Sequence, residues 1–248
     1  MKILPIKTRK IRAGEENIYS VISRHIRNIK ENSILVITSK IVSICEGRVV
    51  KIGKIKKKEL VEREADLYLP PQKDRFHVTL TVKNNILCSS SGVDESNGDG
   101  FWVLWPENPQ KSANNIRKYL AKKYKLKNVG VIITDSKSNI LRRGASGIAI
   151  AHSGFLSLKS YVGKKDIFGR KMKVTKANVV DSLAISAVLV MGEGAEQTPL
   201  AIISNLDFIK FKKNNPTKKE LAELQVDMDN DYFKVLLKSV EWKKGGKK

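Results

Sequence analysis

The sequence predicts a mixed α/β fold, and three observations carry that prediction. Two short apolar runs, Ile34-Leu35-Val36-Ile37 and Val129-Gly130-Val131-Ile132-Ile133, have the length of buried strands. Stretches with helical character accompany them: Ile18, Val21, Ile22, Ile26 and Ile29 share one helical face, and residues 108–124 and 178–191 carry helix start or stop signals. Residues 78–82 and 86–88, set around Lys83-Asn84-Asn85, add a hairpin with an Asn turn.

Taken in order, residues 2–7 alternate as a strand, and a helix then runs from Gly14-Glu15-Glu16 to a stop at Asn32-Ser33. The strand at 34–38 leads into Ser39-Lys40-Ile41-Val42-Ser43, read as a phosphate-accessible loop and helical turn. Glu46-Gly47-Arg48 then turns into a hairpin at Val49-Val50. Lys51 to Asp66 is charged and helical, closed by Pro70-Pro71, with Lys56 to Lys58 as a solvated face. Residues 101–105 form a strand ended by Pro106. Asn108-Pro109 starts a helix through about Tyr124, whose Arg117, Lys118, Lys122 and Lys123 suit the negative end of its dipole.

The helix at 178–191 contains Ser182, Ala184, Ser186 and Ala187, small enough for close packing, and stops at Gly192-Glu193-Gly194. Asn215-Pro216-Thr217-Lys218-Lys219-Glu220 is a capping-box start to a last helical segment, and Lys243 to Lys248 reads as a frayed tail.

Composition removes several function classes. The 248 residues, 41% hydrophobic, can build a real core in one large domain or two closely joined ones. No apolar stretch has the length of a membrane span, and Met1-Lys2-Ile3-Leu4-Pro5 turns polar too soon for a signal peptide, so a cytoplasmic protein without a membrane partner is expected. Cys45 and Cys88 belong to no CxxC or Cys/His cluster, which argues against a disulfide framework, a zinc site or thiol chemistry. His25, His77 and His152 are scattered and read as surface or packing residues. His152 stands out for following the apolar 147–151 run.

A net charge of +22 raises nucleic acid as a partner. The excess, however, is mostly lysine spread along the chain beside much Ile and Asn, a bias that AT-rich coding imposes. Aromatic residues are only 6% and do not interleave with the basic runs, so nucleic acid is not expected as the main partner.

No GxxxxGK[ST], no GxGxxG after a strand and no GxSxG is present. Instead two strand-like runs each meet an acidic turn, Ser91-Gly92-Val93-Asp94-Glu95-Ser96-Asn97 and Val129 through Asp135-Ser136, delivering carboxylates to a sheet edge. Asp94, Asn97, Asp135 and Ser136 offer oxygen only, which suits Mg²⁺ or Mn²⁺ carrying a nucleotide phosphate better than zinc. Glu193 between two glycines adds a third acid, and Arg142-Arg143, in a turn after the second acidic run, add cations for phosphate. Each has a plainer reading on its own: Asp and Ser end strands, glycine stops helices, and an Arg pair solvates a turn. Together they are the minimum equipment for phosphoryl transfer, with Asp94, Asp135, Arg142 and Arg143 as candidate catalytic residues.

The order of SKIVS…EGRVV (39–50), GVDESN (92–97), WPENPQKSANNIRKYL (105–120), VGVIITDS (129–136), RRGASGIAI (142–150), KKDIFGRKMKVT (164–175) and VVDSLAISAVLVMGEG (179–194) resembles the coenzyme F420-0:γ-glutamyl ligase family. The resemblance covers residues 1–206 and leaves 207–248 as a C-terminal helical extension with a Lys-rich tail. It implies a two-lobed mixed α/β subunit in an intertwined homodimer. It also implies GTP-dependent addition of L-glutamate to an acceptor carboxylate through an acyl phosphate.

By position, Asp94, Asp135, Ser136 and Glu193 match the family's metal site for Mg²⁺ or Mn²⁺. Ser39, Lys40, Asn97 and the loop 192–198, with Gly192, Gly194, Ala195 and Glu196, match nucleotide contacts. K⁺ is a further candidate cofactor. The acceptor implied is F420-0, with a folate as the alternative, and a non-catalytic nucleotide-binding protein of the same fold as a second alternative.

Departures accompany the match. The family's usual SKAEGR is Ser43-Ile44-Cys45-Glu46-Gly47-Arg48, so Ile44 stands where a phosphate-contacting lysine is expected. Residues 135–145 lose the family's aromatic and Gln, and Ala151-His152-Ser153-Gly154-Phe155 departs from its apolar Val/Ala-Gly pattern.

Overall fold

The computed structural model describes residues 1–70 and 78–246. Its elements run β1 (Lys2–Ile6), α1 (Ile18–His25), β2 (Ser33–Thr38), α2 (Ser39–Cys45), β3 (Val49–Lys51), α3 (Lys57–Glu64), β4 (Leu67–Tyr68), β5 (Leu80–Lys83) and β6 (Ile86–Ser89). They continue with β7 (Phe101–Val103), α4 (Pro109–Lys123), β8 (Val129–Ser138), β9 (Ala145–Ser153), β10 (Leu158–Ser160), β11 (Lys176–Asn178) and α5 (Val179–Met191). The chain closes with β12 (Leu200–Ser204), α6 (Lys218–Leu224), α7 (Lys234–Leu237) and β13 (Lys243–Lys244).

Five strands form a mixed sheet in the order β1-β12-β2-β8-β9, with β2 and β8 parallel and the other pairs antiparallel. Successive side chains of a strand point to opposite faces, so a central strand must be apolar throughout. In β2, Leu35 and Ile37 join one core with Ile18, Val21 and Ile22 of α1 and Ala113, Ile116 and Leu120 of α4. Ile34 and Val36 join the opposite core with Val180, Leu183, Ala184 and Ala187 of α5. All four β2 side chains are fully buried, each contributing roughly 1.5–3 kcal/mol. The small residues of α5 permit the close approach that the sequence leads one to expect: a Cβ on Gly147 of β9 would lie 2.7 Å from the Ala184 carbonyl oxygen.

A second sheet, β13-β4-β5-β6, packs beside α3, and Leu60, Val61, Val93, Trp102 and Leu104 form a third core there. The β5–β6 hairpin turns through Asn84 and Asn85, both with positive φ (51° and 59°), as its sequence predicts. Asn108 caps α4 by accepting from the Lys111 N–H, Asn178 caps α5 by accepting from the Asp181 N–H, and Thr217 and Glu220 close a reciprocal box on α6.

Several expectations change. The first helix is short, because Asn17 caps it and Ile26 is already extended; Ile26 and Ile29 reach the core from irregular chain. Residues 39–45 are helix from the first residue, without an intervening loop. β3 forms no local hairpin: it pairs with β7, Val49 opposite Val103. The charged stretch after Lys51 is helical only over Lys57–Glu64. β8 does not end at Asp135. It continues to Ser138, held by its antiparallel partner β9 across a register shift between Ile133 and Thr134.

Arg117 does more than suit the dipole of α4. Its buried guanidinium donates to Ser153 Oγ, Asn215 Oδ1 and the Lys213 carbonyl. Lys243 and Lys244 form β13 on β4 instead of fraying, while Pro71, His77, Lys247 and Lys248 lie outside the described residues. Among the described residues, no helix is long and apolar enough to cross a membrane.

Candidate active site

Five distant stretches converge on a cleft of about 740 Å³. Antiparallel pairing sets Ile6 of β1 opposite Leu200 of β12, so residues 8–12 meet the loop 191–199 that precedes β12. The Thr8 N–H donates to the Gln197 carbonyl, and the Thr38 N–H, at the end of β2, donates to the Pro199 carbonyl. Parallel pairing of β2 with β8 sets Thr38 beside Thr134, which brings Ser39 and Lys40 next to Asp135 and Ser136. Residues 89–97 approach from the second sheet, anchored by the Asp94–Val103 bridge.

Asp94, Asp135, Ser136, Glu193, Ser39, Lys40, Asn97, Gly192, Gly194, Ala195 and Glu196 all line this cleft. Lys40 Nζ lies 2.6 Å from Asp94 Oδ2 and also donates to the Ser96 carbonyl and hydroxyl. Burial would push the Asp94 carboxyl up, but the hydrogen bonds from Lys40 and Ser96 outweigh it and hold the group down at about 2. Asp135 is the opposite case. Burial pushes its carboxyl above the ordinary range despite the Trp105 indole N–H that donates to Oδ2 and the help of Ser136 and Ser39.

The Ser136 hydroxyl reaches both Glu193 oxygens, at 2.9 and 2.7 Å. Asn97 Nδ2 donates to the Gly194 carbonyl, and the Gly194 N–H donates to Glu196 Oε2, so the loop after α5 is tied to the acidic turn.

Arg142 and Arg143 do not line the cleft. They are exposed in the β8–β9 connection, because β8 runs on past Asp135 and carries the turn away. Among the described residues, the cations in the wall are Arg9, Lys10, Arg12, Lys40 and Lys57. Of these, the sequence patterns single out only Lys40. The signal for three of the others is the basic run Thr8-Arg9-Lys10-Ile11-Arg12 directly after the first strand. Arg9 is oriented by Glu15 and Glu16, at 2.8 and 2.7 Å, and Arg12 by Asp99 at 2.9 Å.

Ile44 also lines the cleft, as a buried apolar residue of the core beneath it. Burial pushes the Cys45 thiol up to about 12 and the Cys88 thiol up as well, so neither is a nucleophile near neutral pH. His152 packs edge-on against Phe155 in the interior.

Among the described residues, no three His, Cys, Asp or Glu side chains are grouped to hold a metal. The donors along the cleft are nevertheless carboxylate and hydroxyl oxygens, the chemistry of a hard divalent cation. A carboxylate pushed up by burial, as Asp135 is, favours a cation beside it.

A family model described as F420-0:gamma-glutamyl ligase matches residues 5–205, which include every cleft-lining residue. A Methanococcus maripaludis (strain C6) protein named coenzyme F420:L-glutamate ligase is 37% identical over 238 residues, covering 89% of this chain and 93% of its own length. A protein of the same name from Methanocaldococcus jannaschii is 36% identical, covering 82% and 87%. Another from Methanopyrus kandleri is 32% identical, covering 83% and 87%.

Proposed function

The chain belongs to the F420-0:gamma-glutamyl ligase family, and from that membership we propose that it joins L-glutamate to an F420-type acceptor at the expense of a nucleoside triphosphate, with GTP as the expected donor. The observation that carries the reading is the coincidence of the family match with a cleft lined by both carboxylates and cations.

In the first step an acceptor carboxylate oxygen attacks the γ-phosphorus. The bond to the bridging oxygen breaks, a nucleoside diphosphate leaves and an acyl phosphate forms. In the second step the glutamate amine attacks the acyl carbon. The C–N bond forms, the C–O bond breaks, inorganic phosphate leaves and the amine gives up a proton. Catalysis in such transfers is mainly positioning and charge neutralisation.

Arg9, Lys10, Arg12 and Lys57 supply positive charge to the triphosphate and to the anionic acceptor. Lys40 is fixed by Asp94 and Ser96, and Ser39, Asn97 and residues 192–196 would form the nucleotide's bed. Asp94, Asp135, Ser136 and Glu193 would hold a divalent ion, Mg²⁺ or Mn²⁺, whose chemistry is neutralisation of phosphate charge. A magnesium site commonly completes its shell with substrate phosphates and water, so one or two of these carboxylates at a time suffice.

Residues 1–206 are read as the ligase unit, with β4, β5 and β6 in its smaller lobe, and 207–248 as an extension whose β13 adds to that sheet. A homodimer is supported by apolar side chains left in solvent on α5, in the β8–β9 turn and between β10 and β11. Leu189 is 82% exposed, Leu141 97% and Phe168 89%.

The experiment is mass spectrometry of purified protein with Mg²⁺ or Mn²⁺, GTP or ATP and L-glutamate, with F420-0 in one reaction and tetrahydrofolate in another. A gain of one or more glutamate residues on F420-0 is expected. A gain on tetrahydrofolate alone would replace the acceptor. Nucleotide binding without a gain on either acceptor would refute the ligase reading.

A further inference from the structure

Asp135 is held from behind by groups contributed by several separate elements. Trp105, almost fully buried just after β7, donates its indole N–H to Asp135 Oδ2 at 2.5 Å. A donor of that kind fixes which oxygen faces the cleft and removes the rotational freedom of the carboxylate.

The tryptophan is itself clamped. Lys83 of β5, only 7% exposed, sets its ammonium 5.6 Å from the centre of the indole ring. Arg48, just before β3, donates through Nε to the Trp105 carbonyl at 3.1 Å. Both cations converge on one acceptor, Glu64 at the end of α3. Its Oε2 lies 2.6 Å from Lys83 Nζ and 2.6 Å from Arg48 Nη2. The partly buried triad carries one excess positive charge, and the ring face directed at Lys83 accommodates part of it.

The seat also explains a glycine in the acidic turn. A Cβ on Gly92 would lie 2.0 Å from the Trp105 indole nitrogen, and the residue's φ of +70° independently favours glycine. The turn that supplies Asp94 is therefore shaped around the side chain that grips Asp135.

We propose that Trp105 is a positioning residue for the cleft: through its indole N–H it holds the Asp135 carboxylate in the orientation in which that group serves the ligase reaction, and Glu64, Lys83, Arg48 and Gly92 exist around it to keep the indole in place. The proposal rests on the ligase reading for its effect on turnover. Its effect on Asp135 is measured without turnover.

The test uses the full chain and Trp105→Phe, which keeps an aromatic ring and removes the donor. Mn²⁺ binding is titrated by electron paramagnetic resonance, turnover is followed with F420-0, GTP and L-glutamate, and the ¹⁵N-indole resonances are recorded for wild type, Trp105→Phe and Asp135→Asn. The variant is expected to bind Mn²⁺ about tenfold to a hundredfold more weakly and to lose kcat by a similar factor, with KM for glutamate changed by less than about threefold. The indole N–H resonance lost in Trp105→Phe is expected to move upfield in Asp135→Asn, where a charged acceptor becomes neutral.

Mn²⁺ affinity and kcat within twofold of wild type in Trp105→Phe would overturn the proposal. So would an indole resonance indifferent to Asp135→Asn, and that resonance decides alone if Trp105→Phe does not fold. Wild-type protein that makes no glutamate adduct overturns the ligase reading instead, leaving the Mn²⁺ and indole data to decide the role of Trp105.

Discussion

Lys40 and Asp94, 54 residues apart in sequence, are joined in the cleft wall by a 2.6 Å ion pair. The pair is partly open to solvent, and Ser96 closes it by offering its carbonyl and hydroxyl to the same ammonium. The cleft thus presents, side by side, one carboxylate whose charge is answered by a lysine and another, Asp135, whose charge is answered, among the described residues, mainly by neutral donors and a more distant Lys40. That contrast organises the expected consequences of mutation.

Lys40→Met should return the Asp94 carboxyl upward toward its ordinary range. Turnover should fall on the order of tenfold. Melting should change little, because a pair open to solvent contributes about 0–1 kcal/mol. A ¹³C-carboxyl titration and steady-state kinetics on one preparation check all three expectations.

Asp135→Asn should abolish metal-dependent turnover and leave the fold intact. The substitution removes a charge whose burial is incompletely compensated. The melting temperature is therefore expected to be equal to or above that of wild type, the usual exchange of stability for function at such a site. Calorimetry beside the mass-spectrometric assay measures both; full turnover in this variant would remove Asp135 from the metal site.

Leu189→Asp should convert the proposed homodimer to a monomer. Leu189 projects from α5 with 82% of its surface exposed, and Ile185 and Val190 are exposed on the same helix. A carboxylate there would have to be desolvated in an apolar interface. Light scattering after size exclusion should give twice the chain mass for wild type and a single chain mass for the variant. Equal masses would remove this face from the interface.

His152 is expected to make the protein labile to acid. Burial lowers its pKa from 6.5 to about 4, against the opposing influence of Glu220 and Asp181. The folded state therefore favours the neutral ring, and this contribution to stability is fully present above pH 6.5 and is lost as the pH falls through about 4. The contribution is roughly 3 kcal/mol from the size of the shift. Urea unfolding at a series of pH values should show that loss in wild type and a flatter profile in His152→Leu over the same window.

Much of the site is legible in the sequence. Asp94, Asp135, Ser136 and Glu193 all face one cleft, although Asp135 and Ser136 lie within β8 and not at its end, and Ser39, Lys40, Asn97 and residues 192–196 join them. Adjacency along the chain misleads about the cations. Arg142 and Arg143 follow Asp135 closely in sequence, but the β8–β9 ladder extends past the acid and takes them out to the turn. Trp105 opens the 105–120 motif with nothing around it in sequence to mark a role, because its hydrogen bond to Asp135 depends on where β7 ends relative to β8.

By itself the sequence determined the local elements: the twice-buried β2, the apolar face of α5, the Asn84-Asn85 turn and the caps at Asn108, Asn178 and Thr217. Each of these is written in residues within a few positions of one another, since caps, turns and alternation are settled by short-range hydrogen bonds and by which side chains avoid water. Only the tertiary structure decided that β3 pairs with β7, that β13 returns to β4, that residues 8–12 arm the cleft with cations, and that Trp105 grips Asp135. Those outcomes depend on which distant surfaces bury one another at least cost. That free energy belongs to the packed molecule and leaves no periodic trace in the chain.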